Sequence, residues 1–594
     1  MGRLLKTIRE RNHHSAAENN GISKAPAEGN VSTCSLFSAK GKLLFLIGLA
    51  VVALIEIPSH SLSNSFDGLA PKDSKKCKKV DTYTTQEQFY NSKYEVCSKV
   101  GGQSLQQFWN QSIPEILQAT YINNVRMDDY FDKLMDWHSF HRIRQSTAFP
   151  LENFQAILKI AAEEKRPIQI LVLGDSVAAG HMCNVNHLGV ETGPTGVWDP
   201  DKECAWSHRL ERLLSSLFFP VKITNMASGG IDSEVGATAL EYRLFPEGME
   251  LPDIVVAAFA PNDAPRDKPF ETGQDLITQA RKLRCHDDLP LVMLAADLFG
   301  HNNQKNAIDQ MGTMYALADW NQVAMVNYPA VIRHAVMTTF DYRDNKHPLV
   351  GSTWNAHLGT GYHVGQAWAI LFNFMAALVD ACQENSETTQ QKDRAFGLSE
   401  FPIHSIPRIQ DGKSIETYSE EWKRNTEAEK KRCEDLKSER VCSYSWMVNP
   451  AADISYPKDV DRVLKPYLKE VEGWNAEGEP FHNPQTGWYA NAENAKFTLE
   501  LDDISDPVKY LTIIYMKSYG PKFIGSNIRI TVDITSKGAA RGSNTQQQTY
   551  DISGYHDAEM SVQFTNKLEL PNNGAQMGDK IRVQVDLIGG SHFK

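Results

Sequence analysis

The chain is short of positive charge: its 594 residues carry 73 acidic against 61 basic side chains, a net charge of -12. That balance gives no footing for a polyanionic partner, and a general nucleic-acid role has no electrostatic support. Cysteine is scarce, at nine residues, and no two have Cys-x-x-Cys spacing; His-x-His and His-Glu-x-x-His are also missing. The usual sequence signatures of a zinc site are therefore lacking, and neither metal nor cofactor is expected. No repeat of 20 to 50 residues recurs, which sets aside solenoids and propellers. Long apolar runs are missing as well, with one exception.

The exception is Leu43 to Ile57, LLFLIGLAVVALIEI, preceded by Lys40, Lys42 and a basic, polar stretch from Arg3 to Lys24. As a helix it is short for a bilayer core of about 30 Å, so a signal segment competes with an anchor, and the long leading segment favours the anchor. Positive charge on its amino-terminal side keeps that side cytosolic and places the chain after Pro58 in the lumen or outside the cell. The expectation is a single-pass type II membrane protein, secreted if the segment is cleaved. Cys34 precedes the run and eight cysteines follow it, an even number that suits an oxidising compartment,. Close spacing pairs Cys77 with Cys97, Cys183 with Cys204 and Cys433 with Cys442, leaving Cys285 with Cys382. Asn110-Gln-Ser112 is a candidate glycosylation sequon.

At this length two or three domains are expected. Residues 1–42 read as a cytosolic tail, 43–57 as the anchor, and 59–150 as a stem with helical patterns. In 151–385, apolar runs alternate with helical stretches: QILVL, VKITNM, DIVVAAFA, LVMLAAD and AMVNY, closed by YHVGQAWAILFNFMAALVDAC. Such alternation means a parallel sheet with helices on both faces. Residues 386–445 form a charged connector with one exposed helix. From 446 to 594, alternating segments such as KFTLELDD, NIRITVDITS and KIRVQVDLIGG indicate a β-sandwich or jelly roll.

In a doubly wound sheet the carboxyl ends of the strands converge on one crevice. The first run ends in Gly174-Asp175-Ser176, followed by a small, helical stretch. The second is followed by Asn225-Met-Ala-Ser-Gly-Gly230, the third by Ala260-Pro-Asn262-Asp263, and the last by a loop with His347, His357 and His363. A hydroxyl, a glycine amide, a carboxamide and an imidazole thus share one end of the sheet. Asp175 reads as a structural holder of the turn, His363 as a helix-cap or packing residue, and Trp206 and Trp368 as core aromatics. His181, His187 and His208 invite a metal, but their spacing favours ordinary polar roles.

Over residues 160 to 385 this constellation resembles the SGNH (GDSL-type) hydrolases. The resemblance implies a flavodoxin-like three-layer α/β/α sandwich, Ser176 as nucleophile, and an oxyanion hole of Ser176 N–H, Gly230 N–H and the Asn262 side chain. Preset donors at a developing oxyanion are what acyl transfer needs. Two departures stand out: Ala260 replaces the Gly of the family's Gly-x-Asn-Asp, and its Asp-x-x-His is displaced. Asp344-Asn-Lys-His347 has the letters but lies well before the last helix; His357 has the position, but Trp354 stands where the Asp belongs. His357 is the favoured base, His347 the alternative, and Asp344 a candidate orienting acid.

The carboxyl-terminal region is similar in texture to the jelly rolls of polysaccharide-active enzymes. Its Trp474, Trp488 and Tyr489 either fill the sandwich core or stack on sugar rings. The reading is a luminal or extracellular serine esterase that removes a short acyl group, acetyl on a glycan being favoured, with an acylated carbohydrate or other small ester as its partner molecule. The same machinery serves polysaccharide O-acetyltransferases, and a noncatalytic glycan-binding protein is the rival from another class. Oligomeric state is left open.

Overall fold

The computed structural model describes residues 97–119, 137–144, 149–183, 204–246, 249–263, 269–283, 290–297, 304–332, 357–383, 465–475, 488–490, 492–505, 507–537, 545–557 and 561–593. The expected anchor, the 386–445 connector, Asp344, His187 and His347 lie outside these residues. So do Cys77, Cys285, Cys433 and Cys442. The described residues all fall within one compact unit.

Five strands, β1 (Ile168–Gly174), β2 (Val221–Asn225), β3 (Ile254–Ala258), β4 (Leu291–Ala296) and β5 (Ala324–Asn327), pair in parallel in the order β2-β1-β3-β4-β5. The helices are α1 (Leu105–Ala119), α2 (Trp137–Arg144), α3 (Leu151–Glu164), α4 (Trp206–Leu217), α5 (Ser233–Glu241), the single turn α6 (Ala260–Asp263), α7 (Pro269–Lys282), α8 (Gln304–Asn321) and α9 (Thr360–Gln383). Alternate residues of β1, β3, β4 and β5 enter opposite cores, whereas the edge strand β2 sends Val221 and Ile223 into one core and leaves Lys222 exposed. Ile170 and Val172 of β1, Val256 of β3 and Met293 of β4 pack with α1 to α4 and α9. Leu171, Leu173, Val255 and Leu294 pack with α5, α7 and α8. Burial on both faces is why these strands read as continuous apolar runs. This is the flavodoxin-like α/β/α sandwich that the motifs implied, with the strand order reversing between β1 and β3,.

Among the described residues, Thr360–Cys382 is the one helix long and apolar enough to cross a membrane, but 94% of its apolar window is buried inside the protein. It is the central helix of the first core, where Trp368 and Phe372 meet Trp109 of α1 and Phe140 of α2. The stem helices are thus part of this core. Asn110 of the sequon is exposed on α1, whereas Ser112 is buried with its hydroxyl donating to Phe108 O.

Cys183 pairs with Cys204, as spacing suggested. The second disulfide corrects two of the expected pairs: Cys97 joins Cys382, 285 residues away, rather than Cys77, so Cys285 does not pair with Cys382. Proximity in sequence misled because the stem folds back against the carboxyl end of α9, bringing the two Cα atoms within 5.4 Å.

The carboxyl-terminal strands are β6 (Leu468–Glu472), β7 (Trp474–Asn475), β8 (Tyr489–Ala490), β9 (Lys496–Leu501), β10 (Tyr510–Lys517), β11 (Asn527–Thr535), β12 (Thr545–Ser553), β13 (Val562–Glu569) and β14 (Lys580–Gly589). An antiparallel sheet β12-β11-β14-β9-β6 shares a core with the antiparallel pair β10-β13. Trp474 and Trp488 are buried in that core, edge-on to the Phe497 ring at 4.9 and 4.8 Å. They fill the sandwich and present no face to a sugar.

One strand departs from the expected alternation. β10 is buried on both sides: Leu511, Ile513 and Tyr515 enter the sandwich core, while Ile514 enters the α/β core and Thr512 Oγ1 meets Tyr242 Oη at 3.2 Å. The sandwich is therefore docked on the α/β layer through β10.

At the opposite end of the sheet from the serine, Arg166 grips Asp253 with two bonds of 2.6 and 2.9 Å, and Gln169 N–H donates to the same carboxylate at 2.8 Å. Asp253 is 1% exposed and Arg166 14%. Asp253→Ala removes a buried charge partner and the acceptor of Gln169 N–H, leaving Arg166 only the exposed Glu164 at 2.6 Å, so it is expected to destabilise the fold by about 3 kcal/mol,. Denaturant unfolding checks this through a lowered midpoint.

Candidate active site

The carboxyl end of β1 is assembled by backbone groups that have nowhere else to bond. Ser228 N–H donates to Gly174 O at 2.9 Å, Asp175 N–H to Ala258 O at 3.1 Å, and Met226 N–H to Val172 O at 2.8 Å. These bonds bring the loops after β1, β2 and β3 together. A Cβ on Gly174 would lie 2.5 Å from the Ala178 Cβ and 2.6 Å from Ala258 O, so only glycine lets the chain turn this close to β3. Asp175 holds the turn by accepting from Val177 N–H at 2.8 Å. The stretch after Ser176 is not the regular helix expected. It is a chain of turns, with Ala179 N–H on Asp175 O but His181 N–H reaching back to Ser176 O. Gly180, at φ +88°, breaks the helical course.

His357 Nε2 lies 2.8 Å from Ser176 Oγ. Burial lowers the His357 pKa to about 4, so the ring is neutral at physiological pH and its Nε2 lone pair can take the hydroxyl proton when the ring proton sits on Nδ1,. His181 Nδ1 is 3.4 Å from the same Nε2, the two rings standing edge to face at 82°. His363, six residues on, is fully buried in the first turn of α9 and accepts from Trp206 N–H at 3.3 Å through Nδ1. Burial, with Arg209 nearby, holds its pKa down at about 3. It packs and braces, as its position implied.

Three donors face the problem of an acceptor. Asn262 is buried, and its Nδ2 donates one hydrogen to Ile231 O at 2.7 Å, which fixes the amide plane and leaves the second N–H. Among the described residues no acceptor takes Ser176 N–H or Gly230 N–H. Asn225 is different: its Nδ2 is engaged by Ala178 O at 3.0 Å and Ser207 Oγ at 2.9 Å, and its Oδ1 accepts from Ala227 N–H, so it ties loops together.

Gly230 carries φ +77°, a left-handed conformation that favours glycine, and its carbonyl accepts from Gln563 N–H of β13,. Gln563 Nε2 also reaches Gly229 O at 3.4 Å, and Lys567 pairs with Glu241 at 3.4 Å. The sandwich therefore holds the loop that presents the Gly230 amide. Strand-end reading missed Gln563 because it lies 333 residues further along the chain, as the two numbers show. The signal was there in LTIIYM (511 to 516), whose lack of polar alternation marks a strand covered on both faces.

Also unread in the sequence was the end of β4. Asp297 is fully buried there, accepts from the Tyr362 hydroxyl through Oδ1, and leaves Oδ2 without a partner among the described residues, as Asp175 does. Burial, and the Asp297 charge, push the Asp175 carboxyl well up; burial pushes Asp297 to about 7 against the Tyr362 hydrogen bond that lowers it. Two carboxyls in one dry space behind Ser176 cannot both ionise readily. His208 lies on α4, and among the described residues no three His, Cys, Asp or Glu side chains gather to hold a metal.

No family sequence model matches the chain, and no curated protein matches it. Solved structures do match. A two-domain esterase (CEX) active on acetylated mannans, co-crystallised with mannopentaose, is 14% identical, covers 76% of this chain and 97% of its own, and has a TM-score of 0.37. A member of the lipolytic G-D-S-L family from Veillonella parvula is 12% identical over 34% of this chain and 96% of its own, at a TM-score of 0.25. AlinE4, an SGNH-hydrolase family esterase, is 20% identical over 29% of this chain and 81% of its own, at 0.21. Two of the three are esterases, one of them of the SGNH-hydrolase family, and the third is of the lipolytic G-D-S-L family; the strand order and the strand-end residues described above stand on this chain's own structure.

An Asp whose folded pKa is raised binds its proton more tightly folded than unfolded, so it lowers stability progressively as pH rises from about 4 to about 7,. Asp297→Asn keeps the Oδ1 acceptor for Tyr362 and removes that titration. Its Tm is expected to fall less than that of the wild type between these pH values. Thermal melts across the range check this.

Proposed function

We propose that this chain is a serine esterase of the SGNH type. The observation that carries the reading is the 2.8 Å approach of His357 Nε2 to Ser176 Oγ beside the amides of Ser176 and Gly230 and the second N–H of Asn262. In the proposed reaction Ser176 Oγ attacks an ester carbonyl as its proton passes to His357 Nε2. The three donors receive the oxyanion. Collapse of the tetrahedral intermediate breaks the ester C–O bond, and the imidazolium returns its proton to the leaving alkoxide. Water then attacks the acyl-enzyme by the same route, releasing the carboxylic acid and restoring Ser176.

The finer reading is a short-chain acyl ester on a glycan, acetyl being favoured, with 151–385 as the catalytic domain and 446–594 as an accessory β-domain. A type II anchor at 43–57, with the catalytic region luminal or extracellular, agrees with the two disulfides, which persist in oxidising compartments,. The buried tryptophans move any sugar-binding role of the sandwich away from Trp474 and Trp488.

Labelling of the full chain with a fluorescent fluorophosphonate tests the nucleophile. Wild type is expected to label, Ser176→Ala to lose all signal, and His357→Ala to lose at least a hundredfold in rate, whereas His347→Ala labels near the wild-type rate. A folded, disulfide-bonded wild type that does not label fits the noncatalytic glycan-binding reading instead. Release of acetate from acetylated polysaccharides without an added acceptor sugar separates hydrolysis from transfer.

The pH profile follows from the neutral imidazole. The base is lost only when His357 takes a proton, so labelling is expected to stay level from pH 8 downward and to fall through about pH 4. For an ordinary histidine the fall comes near pH 6.5. Labelling rates measured between pH 3 and 8 place the limb.

A further inference from the structure

Resting on the assignment of His357 to the site, we propose that His181 and His357 form a binding site for a borderline-soft divalent cation, with Zn2+ as the type ion, that switches the Ser176 centre off. The geometry points there. His181 Nδ1 and His357 Nε2 are 3.4 Å apart, at the long limit of a hydrogen bond,. Zn–N bonds of about 2.0–2.1 Å at tetrahedral angles set two imidazole nitrogens about 3.3–3.4 Å apart. Ser176 Oγ, 2.8 Å from His357 Nε2, supplies an oxygen on the same side, and water completes the shell.

The two rings are held for this. His181 lies two residues before Cys183, whose disulfide to Cys204 closes its loop, and Thr360 Oγ1 donates to Cys183 O at 2.9 Å. Thr360 opens α9 three residues after His357. The loop bearing one histidine is thus strapped to the helix that follows the other, and such bracing reduces the ordering that a bound ion would impose. Imidazole nitrogen suits Zn2+, Cu2+ and Ni2+, whereas Mg2+ and Ca2+ require oxygen ligands, so the site selects against the hard cations. Among the described residues no third His, Cys, Asp or Glu joins the pair. Two protein nitrogens make a reversible, inhibitory site, distinct from a resident cofactor. A cation there occupies the Nε2 lone pair that Ser176 needs, so binding and proton acceptance exclude one another.

Calorimetric titration of the full chain with Zn2+ and, separately, Mg2+ tests the site without reference to turnover. Ser176→Ala is expected to bind one Zn2+ at this site with affinity within a fewfold of the wild type. His181→Gln and His357→Gln are each expected to weaken that binding at least tenfold, with Mg2+ giving no heat in any of them. Zn2+ should also slow fluorophosphonate labelling of the wild type, and chelation should restore it. Visible absorption by Co2+ in the wild type provides a readout that depends on no variant folding: a tetrahedral Co2+ spectrum that Zn2+ abolishes supports the site. Zn2+ binding that His181→Gln leaves unchanged, or wild type that gives neither Zn2+ heat nor a Co2+ spectrum, overturns it. A chain that binds Zn2+ through the pair but never labels retires the esterase reading and leaves the cation site standing.

Discussion

The backbone groups at the carboxyl end of β1 are buried where water cannot serve them, and their satisfaction arranges everything around Ser176. Val172 O, Gly174 O and Asp175 N–H find partners in Met226, Ser228 and Ala258. A buried backbone polar group without a partner is costly, so loops from β2 and β3 must close over the end of β1. The serine turn, the Gly229-Gly230 corner and the Asn262 turn come together as a by-product of that requirement. Gly174 is the condition for it, since any side chain there would collide with Ala178 and Ala258.

The sandwich extends the same logic across the domains. β10 has no solvent face: its odd-numbered residues, Leu511 to Tyr515, fill the sandwich, and Ile514 fills the α/β core. That docking brings β13 alongside the Gly229-Gly230 corner, where Gln563 N–H takes up the Gly230 carbonyl. With its carbonyl engaged on one side, the peptide of Gly230 has a fixed orientation at the positive φ that glycine permits,. The β-domain is therefore part of what shapes the site's donors, and its buried tryptophans belong to its core.

The imidazoles show how burial and neighbours divide three similar side chains. His363 sits in the core of α9 and holds the start of α4 through Trp206. His357 sits at the boundary, dry enough to stay neutral yet in reach of Ser176. His181 faces His357 from the strapped turn and competes for the same nitrogen. Asp175 and Asp297 are buried as well, and each holds a proton more tightly than carboxyls ordinarily do.

From the sequence alone, the alternation of apolar runs with helices and the period-two strands after residue 490 determined a parallel α/β layer and a β-sandwich, because burial on one face or two leaves a direct mark on residue order. The loops after each run were legible for a related reason: parallel strands carry their carboxyl ends to one edge, and within those loops the resemblance to the SGNH hydrolases implied Ser176, Gly230 and Asn262. Only the tertiary structure decided what depends on the closing of long loops. Cys97 joins Cys382, Gln563 meets Gly230, and His181 faces His357, across separations that no local pattern encodes. The imidazole beside Ser176 belongs to this second class. His357 comes from a loop before α9, and its approach to Ser176 is set by where α9 packs in the core.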